Sequence, residues 1–426
     1  MLGFLFICIL CLFLIGAPIF VALGMGTTLS IMLEGNFPLV LVPQRMFAGL
    51  DSWPIMAIPM FMLAGNLMDQ GGMSKRIVDF ASASIGFVKG SLAMVAVLAS
   101  MIFAAISGSA TAGTAAIGSI MTPAFKEKGY NMSFVTVLLS AAGSIGPIIP
   151  PSINFVVWAF LSQTSTLAMF QAGMGPGVLM GVAMMIWIPI AVKTQHIACP
   201  RAPKASWGER FHSLYTSLPA LGGPAILVLG IMTGIFTPTE CSVVAAMYCV
   251  ILAICLKRFS FKMLTKALKD TLASAGMSMC LCATGLVFNW VIVTSGLIGF
   301  MTTLLMSLGN KIIILLVLNA MLLFLGCFIG SMQILIMVAP LLMNLATALG
   351  MSYVQMGVMA VLNVTLGLIT PPMAPALFVT AKATGNKFET ALKYTVQFLI
   401  PMFITLMITT FWEPLTMFLP RLLGSM

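Results

Sequence analysis

Charge vanishes from this chain for long stretches: no Asp, Glu, Lys or Arg occurs from Gly90 to Phe125, Gly129 to Val192, Thr271 to Asn310 or Ile312 to Ala381. A membrane-crossing helix takes about 20 apolar residues, so these runs must fold back and forth several times. Polar and Gly/Pro punctuation predicts helices near residues 2–24, 26–50 and 54–70, then a basic-flanked surface segment over 75–89. Apolar runs over 90–106 and up to 125 flank a small-residue patch at 107–114. Lys89 before them and Lys126 and Lys128 after them belong on one side of the membrane. That predicts a re-entrant hairpin with Ser107-Gly108-Ser109 at its tip.

Gly146-Pro147-Ile148-Ile149-Pro150-Pro151 then breaks a helix, and another helix is expected near 173–192. Lys193 to His212, with Pro200 and Pro203, reads as a polar cytoplasmic linker, after which the plan recurs. Helices near 216–235, 241–256 and 272–294 and a short segment over 297–308 lead to a second hairpin, Lys311 to Leu349, with its tip near Gly326–Ser331. A second break, Gly367-Leu368-Ile369-Thr370-Pro371-Pro372, and a last span near 394–413 follow. Proline removes a backbone donor, and bare backbone in hydrocarbon costs several kcal/mol per group, so each break must line a cavity or bind something. Pro123 precedes Pro150 by 27 residues and Pro340 precedes Pro371 by 31, which predicts matching units that differ by four residues in a connecting loop. Gly16-Ala17-Pro18 and Gly222-Gly223-Pro224 form a further expected match. One break in each half is the pattern of a secondary transporter with sites between discontinuous helices.

Composition agrees: 60% of residues are hydrophobic and 7% charged, against roughly 25% charged in soluble domains. The chain is read as a multi-pass protein of the lipid bilayer. Residues 1–30 lack the basic start of a cleavable signal peptide and read as membrane helix. The net charge of +10 sits in a few short loops, so it reports orientation and implies no nucleic-acid partner. All Lys and Arg except Arg45, Lys311 and Arg421 fall on the cytoplasmic side, which gives the two halves opposite topology. The fold class expected is therefore all-α, with two inverted-topology repeats, each holding a re-entrant hairpin and a discontinuous helix. Nine scattered cysteines without a CxxC support neither a disulfide framework nor a zinc site. No GxxxxGK[ST] occurs, so energy must come from a gradient or a partner. Missing catalytic carboxylates and metal ligands argue against an intramembrane enzyme, the missing continuous polar face argues against a channel, and no organic cofactor is implied.

The hairpins and breaks hold no buried titratable group, which a proton-coupled carrier needs. Sodium needs only hydroxyl, amide and carbonyl oxygens, while half-helix N-termini suit an anion. The candidates are Ser107, Ser109 and Thr111 at the first tip, and Ser144, Gly146, Pro147, Ser152 and Asn154 at the first break. Ser331 at the second tip and Asn363, Thr365 and Thr370 at the second break join them. Small residues are also selected by close helix packing, so the joint pattern carries more than any one of them. Glu240, in Thr237-Pro238-Thr239-Glu240, is expected to cap a helix, and Asp51 and Asp69 to be interfacial.

At these residues the sequence resembles the large membrane subunit of tripartite ATP-independent periplasmic (TRAP) transporters, the DctM type, over essentially its whole length. The resemblance rests on Phe47-Ala48-Gly49-Leu50, Ala57-Ile58-Pro59-Met60-Phe61-Met62-Leu63-Ala64-Gly65, Gly71-Gly72-Met73-Ser74-Lys75-Arg76-Ile77-Val78 and Ile106-Ser107-Gly108-Ser109-Ala110. It continues in Ile117-Gly118-Ser119-Ile120-Met121, Ile145-Gly146-Pro147-Ile148-Ile149-Pro150-Pro151-Ser152, Gly234-Ile235-Phe236-Thr237-Pro238-Thr239-Glu240 and Thr370-Pro371-Pro372. It implies a sodium-coupled, elevator-type importer of organic carboxylates or sulfonates in the bacterial inner membrane. A periplasmic receptor and a small four-helix membrane subunit are the implied partners, and a stand-alone sodium/anion symporter is the alternative. By resemblance, sodium falls to Ser107, Ser109, Gly146, Pro147, Pro150, Gly326, Thr370 and Pro371. Substrate falls to Ser107, Gly108, Gly143, Ser144, Pro151, Asn154, Ser331, Asn363 and Pro372. Family members often carry Asp where Gly113 and Gly330 stand, and a Ser-Ser-Thr run where Ala142-Gly143-Ser144 stands. The lost oxygens point to a small monoanion. Scaffold segments are expected over 1–88, 173–308 and 394–426, and transport segments over 89–172 and 309–393.

Overall fold

The computed structural model describes residues 2–85, 90–194 and 207–425, so Lys89 and linker positions 195–206 lie outside the described residues. Among the described residues the chain is helical without a strand. Of the described helices, five are long and apolar enough to cross a membrane, or six if one bent pair counts as a span.

The structure replaces the expected spans 2–24 and 26–50 by three helices, α1 (Leu2–Leu14), α2 (Ile19–Glu34) and α3 (Leu41–Leu50). Gly16 turns with φ +86° and Pro18 starts α2, which folds back so that Gly26 meets Ile9. Gly35 ends α2 in the left-handed conformation, its N–H bonding Ile31 O. Then come α4 (Ala57–Gln70), α5 (Met73–Ile85), the hairpin α6 (Ser91–Ser107) and α7 (Ala110–Glu127), α8 (Met132–Gly143), α9 (Ile153–Ser162) and α10 (Thr166–Thr194).

The second half runs through α11 (Trp207–Met232), α12 (Pro238–Cys255), α13 (Phe261–Thr294), α14 (Leu297–Met306), α15 (Lys311–Gly326), α16 (Ser331–Ala348) and α17 (Tyr353–Gly367). It closes with α18 (Pro375–Thr384), α19 (Phe388–Leu392), α20 (Thr395–Phe411) and α21 (Pro414–Leu422). Glu240 does cap its helix, reciprocally with Thr237 in a capping box. α13 begins at Phe261, well before the expected 272, because the Ser260 hydroxyl caps it, accepting from Met263 N–H at 3.1 Å. The last span stops at Phe411, and α21 turns away by 61°.

The two halves match more closely than their prolines suggested. α7 and α16 are each 18 residues long, and four-residue connectors, 128–131 and 349–352, follow them. Ala110 to Pro150 and Ser331 to Pro371 each span 40 positions. Pro123 and Pro340 are therefore not equivalents, and the connecting loops do not differ. The tips do differ, two residues at 108–109 against four at 327–330. Nor do the Gly-x-Pro triplets correspond: residues 16–18 form a turn, whereas Gly222, Gly223 and Pro224 lie inside α11.

Across the halves the packing is reciprocal. α9, leaving the first break, packs on α16 of the second hairpin, and α18, leaving the second break, packs on α7 of the first. Tips and breaks thus meet at one place in the molecule, against α4 and α13.

Candidate functional site

Each break is seated on the hairpin tip of its own half through a glycine. A Cβ on Gly146 would stand 2.9 Å from Ser109 O, and one on Gly367 only 2.3 Å from Gly326 Cα. Backbones this close admit no side chain. Gly108, with φ +56°, turns the first tip against Pro151 O, which a Cβ would approach to 2.5 Å. Across the halves, Asn154 Nδ2 donates to Ser331 Oγ at 3.0 Å, tying the helix after the first break to the second tip.

A cavity of about 620 Å³ opens where these parts converge. Its wall includes the first residues of four helices: Ser109 to Thr111 of α7, Ile153 and Asn154 of α9, Gly330 to Gln333 of α16, and Pro375 of α18. Each helix start carries roughly half a positive charge, although Ser109 and Ser152 cap Ala112 N–H and Phe155 N–H and Ala376 N–H bonds Leu368 O. Among the described residues no Lys or Arg lines the cavity, and the one ionisable side chain there is Asp270 of α13. An adjoining cavity of about 420 Å³ shares Met62, Ser109, Thr111, Asp270 and Ser274 and adds Asn66, Asp69 and Ser107.

The expected residues divide by position. Gly108, Ser109, Pro147, Asn154 and Ser331 line the larger cavity, and Ser107 the smaller. Thr111 lines both, and the other expected positions line neither. Ser144 donates to Ser140 O at 3.0 Å, and Asn363 Nδ2 donates to Asn319 Oδ1 at 2.7 Å between α17 and α15. Ser152 donates to Pro147 O, Thr365 bonds back to Val361 O, and Thr370 to Leu366 O. Gly326 and Gly367 are buried against each other, as are Pro150 and Pro151 within the first break, while Pro371 and Pro372 are exposed.

Two buried hydroxyls behind the first tip have no hydrogen-bond partner, those of Ser107 and Thr114. The carbonyls of Ala110 and Gly143 lie near them. A Cβ on Gly143 would lie 1.8 Å from Thr114 Oγ1 and 3.0 Å from Ala110 O, and one on Gly113 would lie 3.9 Å from both Gly143 O and Ser107 Oγ. This is a set of neutral oxygens beside two glycines, a donor chemistry suited to a sodium ion. In the second half the Thr370 hydroxyl is already bonded, so no comparable pair of orphaned hydroxyls stands there among the described residues.

Sequence reasoning missed the wall that α13 supplies: Asp270, Ser274, Met277, Ser278 and Leu281. Their spacing of three and four residues puts them on one helix face, and recognising the Ser260 cap would have extended the expected helix back to include Asp270. Asp69 and Asn66 of α4 were missed likewise: Asp69 was expected at the interface, whereas it lines the smaller cavity, and Asn66 Nδ2 bonds Thr271 Oγ1 at 2.9 Å beside it.

Residues 6–415 match the family described as "Tripartite ATP-independent periplasmic transporter, DctM component". The chain is 32% identical over 409 residues to the sialic acid TRAP transporter large permease protein SiaM of Vibrio cholerae, covering 96% of this chain and 95% of that one. It is 34% identical over 405 residues to the C4-dicarboxylate TRAP transporter large permease protein DctM of Pseudomonas aeruginosa, covering 95% and 94%. The YdaH transporter of Alcanivorax borkumensis has a similar fold, with a TM-score of 0.66 at 14% identity over 86% of this chain and 87% of that one.

Proposed function

The chain belongs to the DctM component family of tripartite ATP-independent periplasmic transporters, as a multi-pass large permease of the inner membrane, and from that premise we propose that it imports a small organic anion with sodium. The observation that carries the anion is the convergence of four helix N-termini on one cavity without a basic side chain. Relatives named for sialic acid and for C4-dicarboxylates are about equally similar to this chain, so identity does not choose the substrate. Gly113 and Gly330 leave the tips without added carboxylates or hydroxyls, and Asp270 disfavours a second negative charge towards α13. Both favour a small monoanion, a carboxylate or a sulfonate.

Sodium would be held by Ser107, Thr114 and the carbonyls of Ala110 and Gly143. Its charge, placed behind the first tip, would offset that of the anion in the adjoining cavity. α6 to α9 with α15 to α19 would form the moving transport unit, and the remaining helices the scaffold, braced by a small four-helix subunit. A periplasmic receptor would deliver the substrate, so the cavity itself need bind only weakly.

Ser331→Asp tests the anion site. It puts a carboxylate where the helix starts converge, so uptake of labelled organic anions by proteoliposomes of the complete transporter should fall at least about tenfold, as for a loss of 1.4 kcal/mol. Sodium-dependent thermal stabilisation should remain. Undiminished anion uptake by this variant would place the substrate elsewhere.

A further inference from the structure

Beyond the central cavity, between α13 and α16, lies a separate cavity of about 500 Å³. The two are divided where Ile336 closes on Gly285, at which a Cβ would stand 2.3 Å from Ile336 Cγ2. Leu281 and Gln333 lie on the central side of that contact, Leu286 and Ala339 on the other. The outer cavity sits at the end of α13 away from Lys262, Lys266 and Lys269. It gathers Arg45 of α3, Asn289 and Trp290 of α13, and Asn344 of α16.

Packing does not explain this set. The Arg45 guanidinium lies over the Trp290 ring at 5.7 Å and has no carboxylate partner among the described residues. Asn289 is 8% exposed, and its side-chain oxygen has no hydrogen-bond partner. A buried amide oxygen left unpaired is costly, and a guanidinium offers a planar fork suited to a carboxylate or sulfonate.

We propose that this pocket is an outer staging site for the transported anion, in which Arg45 pairs with its acidic group and Asn289 accepts a hydrogen from a hydroxyl or amino group on the same molecule. The Gly285–Ile336 contact separates this site from the central cavity. The proposal rests on the anion-transport reading and narrows the substrate to hydroxy or amino acids of the carboxylate or sulfonate class.

The test uses the assembled membrane complex with Asn344→Cys, measured against the parent chain. Modification by the anionic sulfonatoethyl methanethiosulfonate should be favoured over its cationic trimethylammonium counterpart. Arg45→Gln should change each rate about fivefold in opposite directions, the effect of one unit charge a few ångströms away in a wet pocket, and so lower the ratio about 25-fold, and Arg45→Lys should keep it. At equal ionic strength, 2-hydroxyethanesulfonate should slow the reaction more than ethanesulfonate or chloride, and Asn289→Leu should abolish the difference between the two sulfonates. A ratio indifferent to Arg45→Gln, or no better protection by the hydroxysulfonate than by chloride, overturns the site. Failure of the transport reading would show separately, as absent anion uptake by the complex, and leaves the labelling result intact.

Discussion

Thr114→Val separates a sodium ligand from a packing residue. Thr114 is 1% exposed and its hydroxyl is unpartnered, and an unsatisfied buried polar group costs about 1–3 kcal/mol. Without a cation, replacing it by a methyl of similar shape removes that penalty, so the variant should be at least as stable as the parent. With sodium the sign reverses. The parent gains an ion that satisfies the oxygen, while the variant loses one ligand, and about 1–3 kcal/mol corresponds to roughly a 5- to 150-fold weaker affinity. The assay is thermal unfolding of the purified membrane complex in sodium chloride against choline chloride at equal ionic strength. Ser152→Ala is the control: its hydroxyl donates to Pro147 O and accepts from Phe155 N–H at 3.3 Å, so its loss should cost about 1 kcal/mol in either salt. An equal sodium shift in parent and Thr114→Val would refute the ligand role and leave Thr114 as a packing residue.

Gly367→Ala forces a Cβ to within 2.3 Å of Gly326 Cα, and because backbone cannot yield as a side chain can, it should destabilise by about 1–3 kcal/mol or more and abolish uptake. Gly118→Ala, whose Cβ would meet only Leu139 Cδ1 at 3.9 Å, should be tolerated; equal unfolding temperatures for the two would contradict the tip-to-break packing. Inverted topology puts the equivalent connectors 128–131 and 349–352 on opposite faces. A membrane-impermeant thiol reagent added to intact cells should therefore label Ser352→Cys and spare Lys128→Cys, and the reverse pattern would sink the orientation.

The central machinery was legible because helix breakers in hydrocarbon have few uses. Both tips fall where small residues interrupt apolar runs, at Ser107–Ser109 and Gly326–Ser331, and both breaks fall at the Gly-x-x-x-Pro-Pro segments. The amino-terminal helices were not legible, since Gly16-Ala17-Pro18 and Gly35 lie in apolar surroundings where a continuous span and a folded-back pair have nearly the same composition. Proline spacing misled at Pro123 and Pro340, which sit inside helices of equal length at different depths and mark no common feature. Polar residues divided by what they face. Asn154 and Ser331 meet across the halves, while Asn363 finds Asn319 within its own half, a pairing that spacing along the chain does not reveal. Asp270 was missed because its helix was expected to begin only near 272, two residues after it.

Sodium coupling is most directly tested by uptake into proteoliposomes holding both membrane subunits, with a candidate periplasmic receptor and its labelled organic anion outside. An inward sodium gradient should drive accumulation only when the receptor is present, and replacing sodium by choline should abolish it. Uptake that persists in choline and follows a pH gradient would contradict the sodium site behind the first hairpin tip, and robust uptake without receptor would instead describe a stand-alone symporter.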